Sequence, residues 1–186
     1  MAMPVFNRMK AVAYATHWAF KRSANYPDYS SDGGLGGGGD CTNFVSQCLH
    51  AGGWPMIEGP RRDATAWWTR FDESSNNWAS AQWFDRFLTW HAPVKRCQRD
   101  ELEMGDIVMY QTPDFSNPDH AMMVTKVLCG VDGNEIYLTY HSTDTLNKSL
   151  SEIENICHPD TKYFYWKVND VFSGEPRPTH YPLTTG

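Results

Sequence analysis

Gly33-Gly34-Leu35-Gly36-Gly37-Gly38-Gly39 runs directly into Asp40-Cys41-Thr42-Asn43-Phe44-Val45-Ser46-Gln47-Cys48. A glycine loop ends where an amphipathic segment begins. Forward from Cys41, the apolar residues Phe44, Val45, Cys48 and Leu49 recur at helical spacing, until Gly52-Gly53 and Pro55 stop the helix. Cys41 therefore stands at a helix N-terminus, where unsatisfied N–H groups favour a thiolate and bind an oxyanion. The glycines suit a backbone that bends tightly and leaves room for a substrate. Cys48 lies on the face of Leu49 and reads as core, and Cys97, Cys129 and Cys157 have no glycine approach.

With 186 residues the chain suits one domain that buries a core without staples, and this reading places the domain at 1–173. The net charge of −6 and the absence of a basic cluster argue against nucleic acid or an anionic membrane as the main partner. The apolar stretches fall short of the roughly 20 residues of a membrane span, so no membrane insertion is expected. The N-terminus lacks the basic start, apolar run and small-residue cleavage site of a signal peptide, which implies synthesis in a cytoplasm. Five cysteines without a CxxC pair leave at least one thiol free. Neither Cys48-x-His50 nor Cys157-His158 has structural zinc spacing, so no metal or other cofactor is expected. Most of the eight tryptophans read as helix packing, with Trp67 a candidate wall of a substrate groove.

Along the chain, Phe6, Met9, Ala13, Thr16 and Phe20 form an apolar stripe that predicts a helix over residues 5–24, with His17 on the surface. Short helices are predicted over 63–72 and 78–91, separated by the polar cluster Ser74-Ser75-Asn76-Asn77. Beyond Met104-Gly105 the pattern changes to short runs of strand type at 106–110, 120–128, 135–141 and 162–168. Val131-Asp132-Gly133-Asn134 has the composition of a hairpin turn. Helices followed by antiparallel strands make an α+β domain, and the proline-bearing stretch 174–186 reads as a tail.

A cysteine nucleophile needs a base, and the base needs an orienting group. His120 opens a predicted strand after Asn117-Pro118-Asp119, and His141 closes the next one. A hairpin sets the start of one strand beside the end of its neighbour, so these two histidines become candidates. Tyr26 and Tyr29, upstream of the glycines, and Asp40, beside the cysteine, are candidates for contact with substrate or oxyanion.

Four segments carry a resemblance. They are Gly39-Asp40-Cys41-Thr42-Asn43-Phe44-Val45-Ser46-Gln47 with Ala51-Gly52-Gly53; Met104-Gly105-Asp106-Ile107-Val108; Asp119-His120-Ala121-Met122-Met123-Val124-Thr125; and Tyr137-Leu138-Thr139-Tyr140-His141-Ser142-Thr143-Asp144. In these the chain resembles the papain-fold cysteine amidases of the putative amidase domain family, related to the NlpC/P60 and CHAP peptidoglycan hydrolases. The resemblance implies a papain-like fold with Cys41 as nucleophile, His120 as general base and His141 as the orienting residue, with Asp144 near enough to compete. It implies hydrolysis of amide bonds in peptidoglycan stem peptides. The expected setting is a monomeric antibacterial toxin, exported by a type VI-like route to the periplasm or cell wall of a target cell and blocked by an immunity protein. The alternatives are a phage or autolysin-type lysin, a deamidase or acyltransferase, and a non-catalytic peptide-binding module.

Overall fold

The computed structural model describes residues 5–30, 39–131 and 133–171. The glycine run 33–38 and the tail 174–186 lie outside these residues. In chain order the elements are α1 (Arg8–Trp18), α2 (Cys41–Ala51), α3 (Asn76–Ala79), α4 (Ala81–Trp90), β1 (Val94–Arg96), a 3-10 turn (Arg99–Glu101), β2 (Ile107–Gln111), β3 (His120–Gly130), β4 (Gly133–Tyr140), β5 (Thr145–Ser149), α5 (Leu150–Ile156) and β6 (Lys162–Val168). The strands form one antiparallel sheet in the order β1-β6-β2-β3-β4-β5. This is the α+β arrangement of N-terminal helices and a C-terminal antiparallel sheet.

Period-two alternation divides the sheet between two apolar layers. Ile107, Met109, Ala121, Met123, Trp166 and Val168 face the helices, where they meet Phe44, Val45, Cys48 and Leu49 of α2. Val108, Met122, Val124, Ile136, Leu138 and Tyr140 face the other way, under Leu102 and the α5 residues Leu150 and Ile153. Arg8 ties the first helix to the sheet, with Nη1 2.7 Å from the buried Asp106 carboxylate. Asp106 also accepts from the backbone N–H groups of Glu103 and Val168.

Two helical expectations change. The first helix is shorter than 5–24, capped by the Asn7 side chain, and buries Ala11, Val12 and Ala15 instead of the predicted stripe. Met9 and Phe20 are exposed, while Phe6 packs where Gly52 has no side chain; a Cβ there would lie 2.3 Å from the Phe6 ring. Small residues on the inner face let α1 approach α2 closely, and helix–helix distance depends on the side chains at the contact.

Residues 63–72 form no helix. The Trp67 backbone pairs in both directions with Ile57, and Trp68 N–H bonds the Ser75 hydroxyl. The polar cluster 74–77 is no surface spacer, because Ser74, Ser75 and Asn77 are fully buried. The Asn77 amide donates to the carbonyls of Asp63, Ala64 and Ala66, so one side chain holds a whole irregular segment. Replacing Asn77 by Ala leaves these buried acceptors unpaired, and should lower unfolding free energy by about 2–4 kcal/mol in chemical denaturation.

Candidate active site

Asp40 directly precedes α2, and its carboxylate is fully buried. An aspartate at this position commonly accepts from the N–H groups of the first helical turn. Here the side chain makes no such cap. Its oxygens instead receive Tyr29 N–H at 3.2 Å, the Asn43 amide at 2.7 Å and His141 Nδ1 at 2.7 Å. Arg22 Nε lies 3.1 Å away as an ion-pair partner. The same guanidinium makes two bonds to Asp144, at 2.8 and 3.1 Å. Burial pulls the Arg22 guanidinium down, but Asp144 and Asp40 carry it above its ordinary value.

This network sets the cysteine. The β3–β4 pairing runs as far as Met123 opposite Thr139. Beyond that point, hydrogen bonding from the Ala121 backbone at one strand end and from Ser142 at the other works to lower the Cys41 pKa. Thr42 adds its backbone N–H and its hydroxyl, the latter 3.7 Å from the sulfur. The thiol thus lies at the start of α2 near the beginning of β3, where Ala121 follows His120 in the chain. Burial pushes its pKa above the ordinary thiol value, against the opposing effect of these donors. Burial thus works against the thiolate that the helix start favours.

His120 faces the sheet's second layer. Its ring stacks on Tyr110, the residue paired with it across β2, and meets Tyr140 edge-on, both at 4.9 Å between centroids. Nε2 is buried and has no hydrogen-bond partner among the described residues. Burial lowers its pKa to about 4, with Asp119 opposing, so the imidazole is neutral near pH 7 and can accept a proton.

His141 is placed differently. Two further steps along the register put it across from Ala121, on the opposite sheet face from His120. Its Nδ1 bonds Asp40, its Nε2 lies 2.9 Å from the Trp18 carbonyl, and its ring packs on Phe44. Both nitrogens are thus engaged away from His120. Asp144 faces Arg22, so it does not orient His120 either. Tyr110 and Tyr140 are the groups that flank the His120 ring.

The remaining candidates separate into packing and anchoring groups. Tyr26 stacks on Trp78, and the Tyr29 hydroxyl bonds Ser74. Trp67 is fully buried, with its indole N–H on Ser46, and is core in place of a groove wall. Sequence reasoning missed Arg22, Asn43, Tyr110, Tyr140 and Ser142. Tyr110 ends the predicted strand 106–110 and Tyr140 is the last residue but one of 135–141, the one signal that marked them. Among the described residues, no group of three or more His, Cys, Asp or Glu side chains is placed to hold a metal ion.

Two tests follow from this geometry. Asp40→Ala leaves the buried His141 imidazole without its carboxylate partner and the half-buried Arg22 without one of its ion pairs, and should cost about 3–5 kcal/mol in chemical denaturation, whereas Asp144→Ala, at the solvent side of the same arginine, should cost about 1 kcal/mol or less. His120 binds a proton near pH 6.5 when unfolded and near pH 4 when folded. Its stabilising share is therefore complete above pH 6.5 and is lost as pH falls towards 4, by up to roughly 3 kcal/mol at 1.36 kcal/mol per pH unit. Denaturation of wild type and His120→Gln across that range should show the wild type losing this extra stability and the variant lacking the decline.

The chain is 29% identical over 170 residues to the Uncharacterized protein YhbB of Bacillus subtilis (strain 168), covering 89% of this chain and 51% of that protein. It is 27% identical over 147 residues to the Uncharacterized protein YjcM of the same organism, covering 74% of this chain and 31% of that one. The chain thus spans about half or less of the length of these relatives. No solved structure matches it significantly. Residues 5–166 match the family described as Putative amidase domain, which takes in α1, the Cys41 helix and the sheet as far as Trp166 of β6, and the chain belongs to that family.

Proposed function

We propose that this domain is a cysteine amidase of papain-like type, hydrolysing amide bonds in peptidoglycan stem peptides with Cys41 as nucleophile and His120 as general base. The observation that supports the reading is the buried thiol at the start of α2, with hydrogen bonding from the backbone of Ala121, the residue after the buried, neutral His120, among the effects acting on it. Membership of an amidase family supports hydrolysis of an amide. The stem-peptide substrate rests on the resemblance of the Asp40–Gln47 segment to wall hydrolases.

Both resting groups are neutral, so the sulfur gives its proton to His120 as it attacks the carbonyl carbon. The carbonyl electrons move to oxygen, where N–H groups of the first α2 turn stabilise the charge. His120 then protonates the departing amine, leaving a thioester on Cys41. Water, deprotonated by His120, attacks the thioester; the C–S bond breaks, the acid leaves, and His120 returns its proton to the Cys41 sulfur. Asp40, Arg22 and His141 take no proton in this scheme; they hold the helix start where the attack occurs.

Incubating the purified protein with peptidoglycan and identifying fragments by mass spectrometry tests the reading. Wild type should release fragments with new amine and carboxyl ends. Cys41→Ala should release none above background, and His120→Ala should be slowed by roughly 100-fold or more. Identical fragments from wild type and Cys41→Ala would sink the proposal.

A further inference from the structure

His120 stands in a row of aromatic rings that crosses four neighbouring strands. Tyr110 of β2 is paired directly with His120 of β3 on one side and with Tyr163 of β6 on the other. The Tyr163 ring meets Tyr110 edge-on, at 6.2 Å between centroids and 72° between planes. Tyr110 in turn stacks on the imidazole at 4.9 Å and 28°, and Tyr140 of β4 closes the row at 4.9 Å and 88°. The row follows the sheet order β6-β2-β3-β4, with the proposed base inside it. The polar groups that could orient that base are engaged elsewhere. The Asp119 carboxylate accepts from the Thr112 N–H at 2.7 Å and from the Thr112 hydroxyl at 3.1 Å, which closes the β2–β3 connection. His141 bonds Asp40, and Asp144 bonds Arg22. His120 Nε2 is buried with no hydrogen-bond partner among the described residues. The torsion that turns an imidazole about its own axis is broad, so such a ring needs another restraint. A stacked ring on one side and a perpendicular ring on another restrain it by shape.

We propose that Tyr110 and Tyr140 are positioning residues for His120, their rings fixing the plane of the imidazole in the role that a polar third residue fills in a hydrogen-bonded triad. The proposal rests on the reading of His120 as the base for Cys41. A clamp of rings leaves Nε2 free, so a proton can be taken up there without first breaking an existing bond. The rings act, not the hydroxyls, and Tyr163 supports Tyr110 from behind.

Alkylation of Cys41 by iodoacetamide at about pH 7, resolved by digestion and mass spectrometry, reads the action of the base without a substrate. His120→Gln should slow it roughly tenfold. Tyr110→Leu should slow it roughly five- to tenfold, whereas Tyr110→Phe, which keeps the ring, should stay within about twofold of wild type. Tyr140→Leu, on another side of the imidazole, repeats the test should Tyr110→Leu fail to fold. Combined with His120→Gln, either Leu substitution should add no further loss, because positioning acts only through the base. A loss of the same size with and without His120 marks a general loosening of the sheet and overturns the proposal, as does either Leu variant, folded and reacting at the wild-type rate. His120→Gln at the wild-type rate overturns the base reading and the positioning role with it. Peptidoglycan turnover measured in parallel bears on the substrate alone. If wild type releases nothing from peptidoglycan while His120→Gln and the Leu variants still slow alkylation, the substrate reading falls and the positioning role stands.

Discussion

A buried carboxylate must be met by donors, since neither water nor bulk counterions can stabilise its charge. Asp40 is such a group, and its partners come from segments far apart in the chain. Arg22 and Tyr29 follow α1, Asn43 lies in the first turn of α2, and His141 follows β4. Gathering them on one carboxylate fixes the chain after α1, the start of α2 and the end of β4 against each other. It also diverts Asp40 from the capping role its position invites. The first turn of α2 then turns its polar groups towards the sulfur in place of its own cap, as the Thr42 bonds to Cys41 illustrate.

The sheet supplies the second constraint. Its strands are covered on both faces, so each change of one residue transfers a side chain between two apolar layers. His120 and His141 fall out of step by this rule. One enters the tyrosine-lined layer and loses its polar partners; the other enters the helix-side layer and meets Asp40. Two histidines of similar appearance thus receive opposite surroundings. The imidazole among aromatic rings is held neutral by burial. The other is engaged at both nitrogens and serves as a strut.

What was legible in the sequence was what short-range pattern carries. The Cys41 helix and the runs at 106–110, 120–128, 135–141 and 162–168 show their period locally, and each reappears as a regular element within a few residues. The face of α1 was not legible, because large side chains such as Met9 and Phe20 suggest a core stripe. The packed face consists of alanines chosen for closeness. Residues 63–72 failed for a related reason: their apolar residues satisfy helical spacing, but backbone bonds to Ile57 and the Asn77 amide hold the segment extended or irregular. Cys41 and His120 stood out because each begins an element. Arg22 did not, since nothing near it in the chain indicates that two aspartates from other segments converge on it. The adjacency of His120 and His141 was inferred from hairpin geometry, which brings strand ends together but leaves the face of each side chain to the register.

Burial favours the neutral form of the Cys41 thiol and of the His120 imidazole alike, because a charge on either group loses the solvation of water. The same burial strengthens every donor aimed at the charge once it forms. In the proposed mechanism the site is therefore weakly reactive at rest, and charge moves from sulfur to an oxygen at the helix start as the reaction proceeds. Catalysis by differential binding has this form: interactions that are small in the ground state become large only as the reaction proceeds.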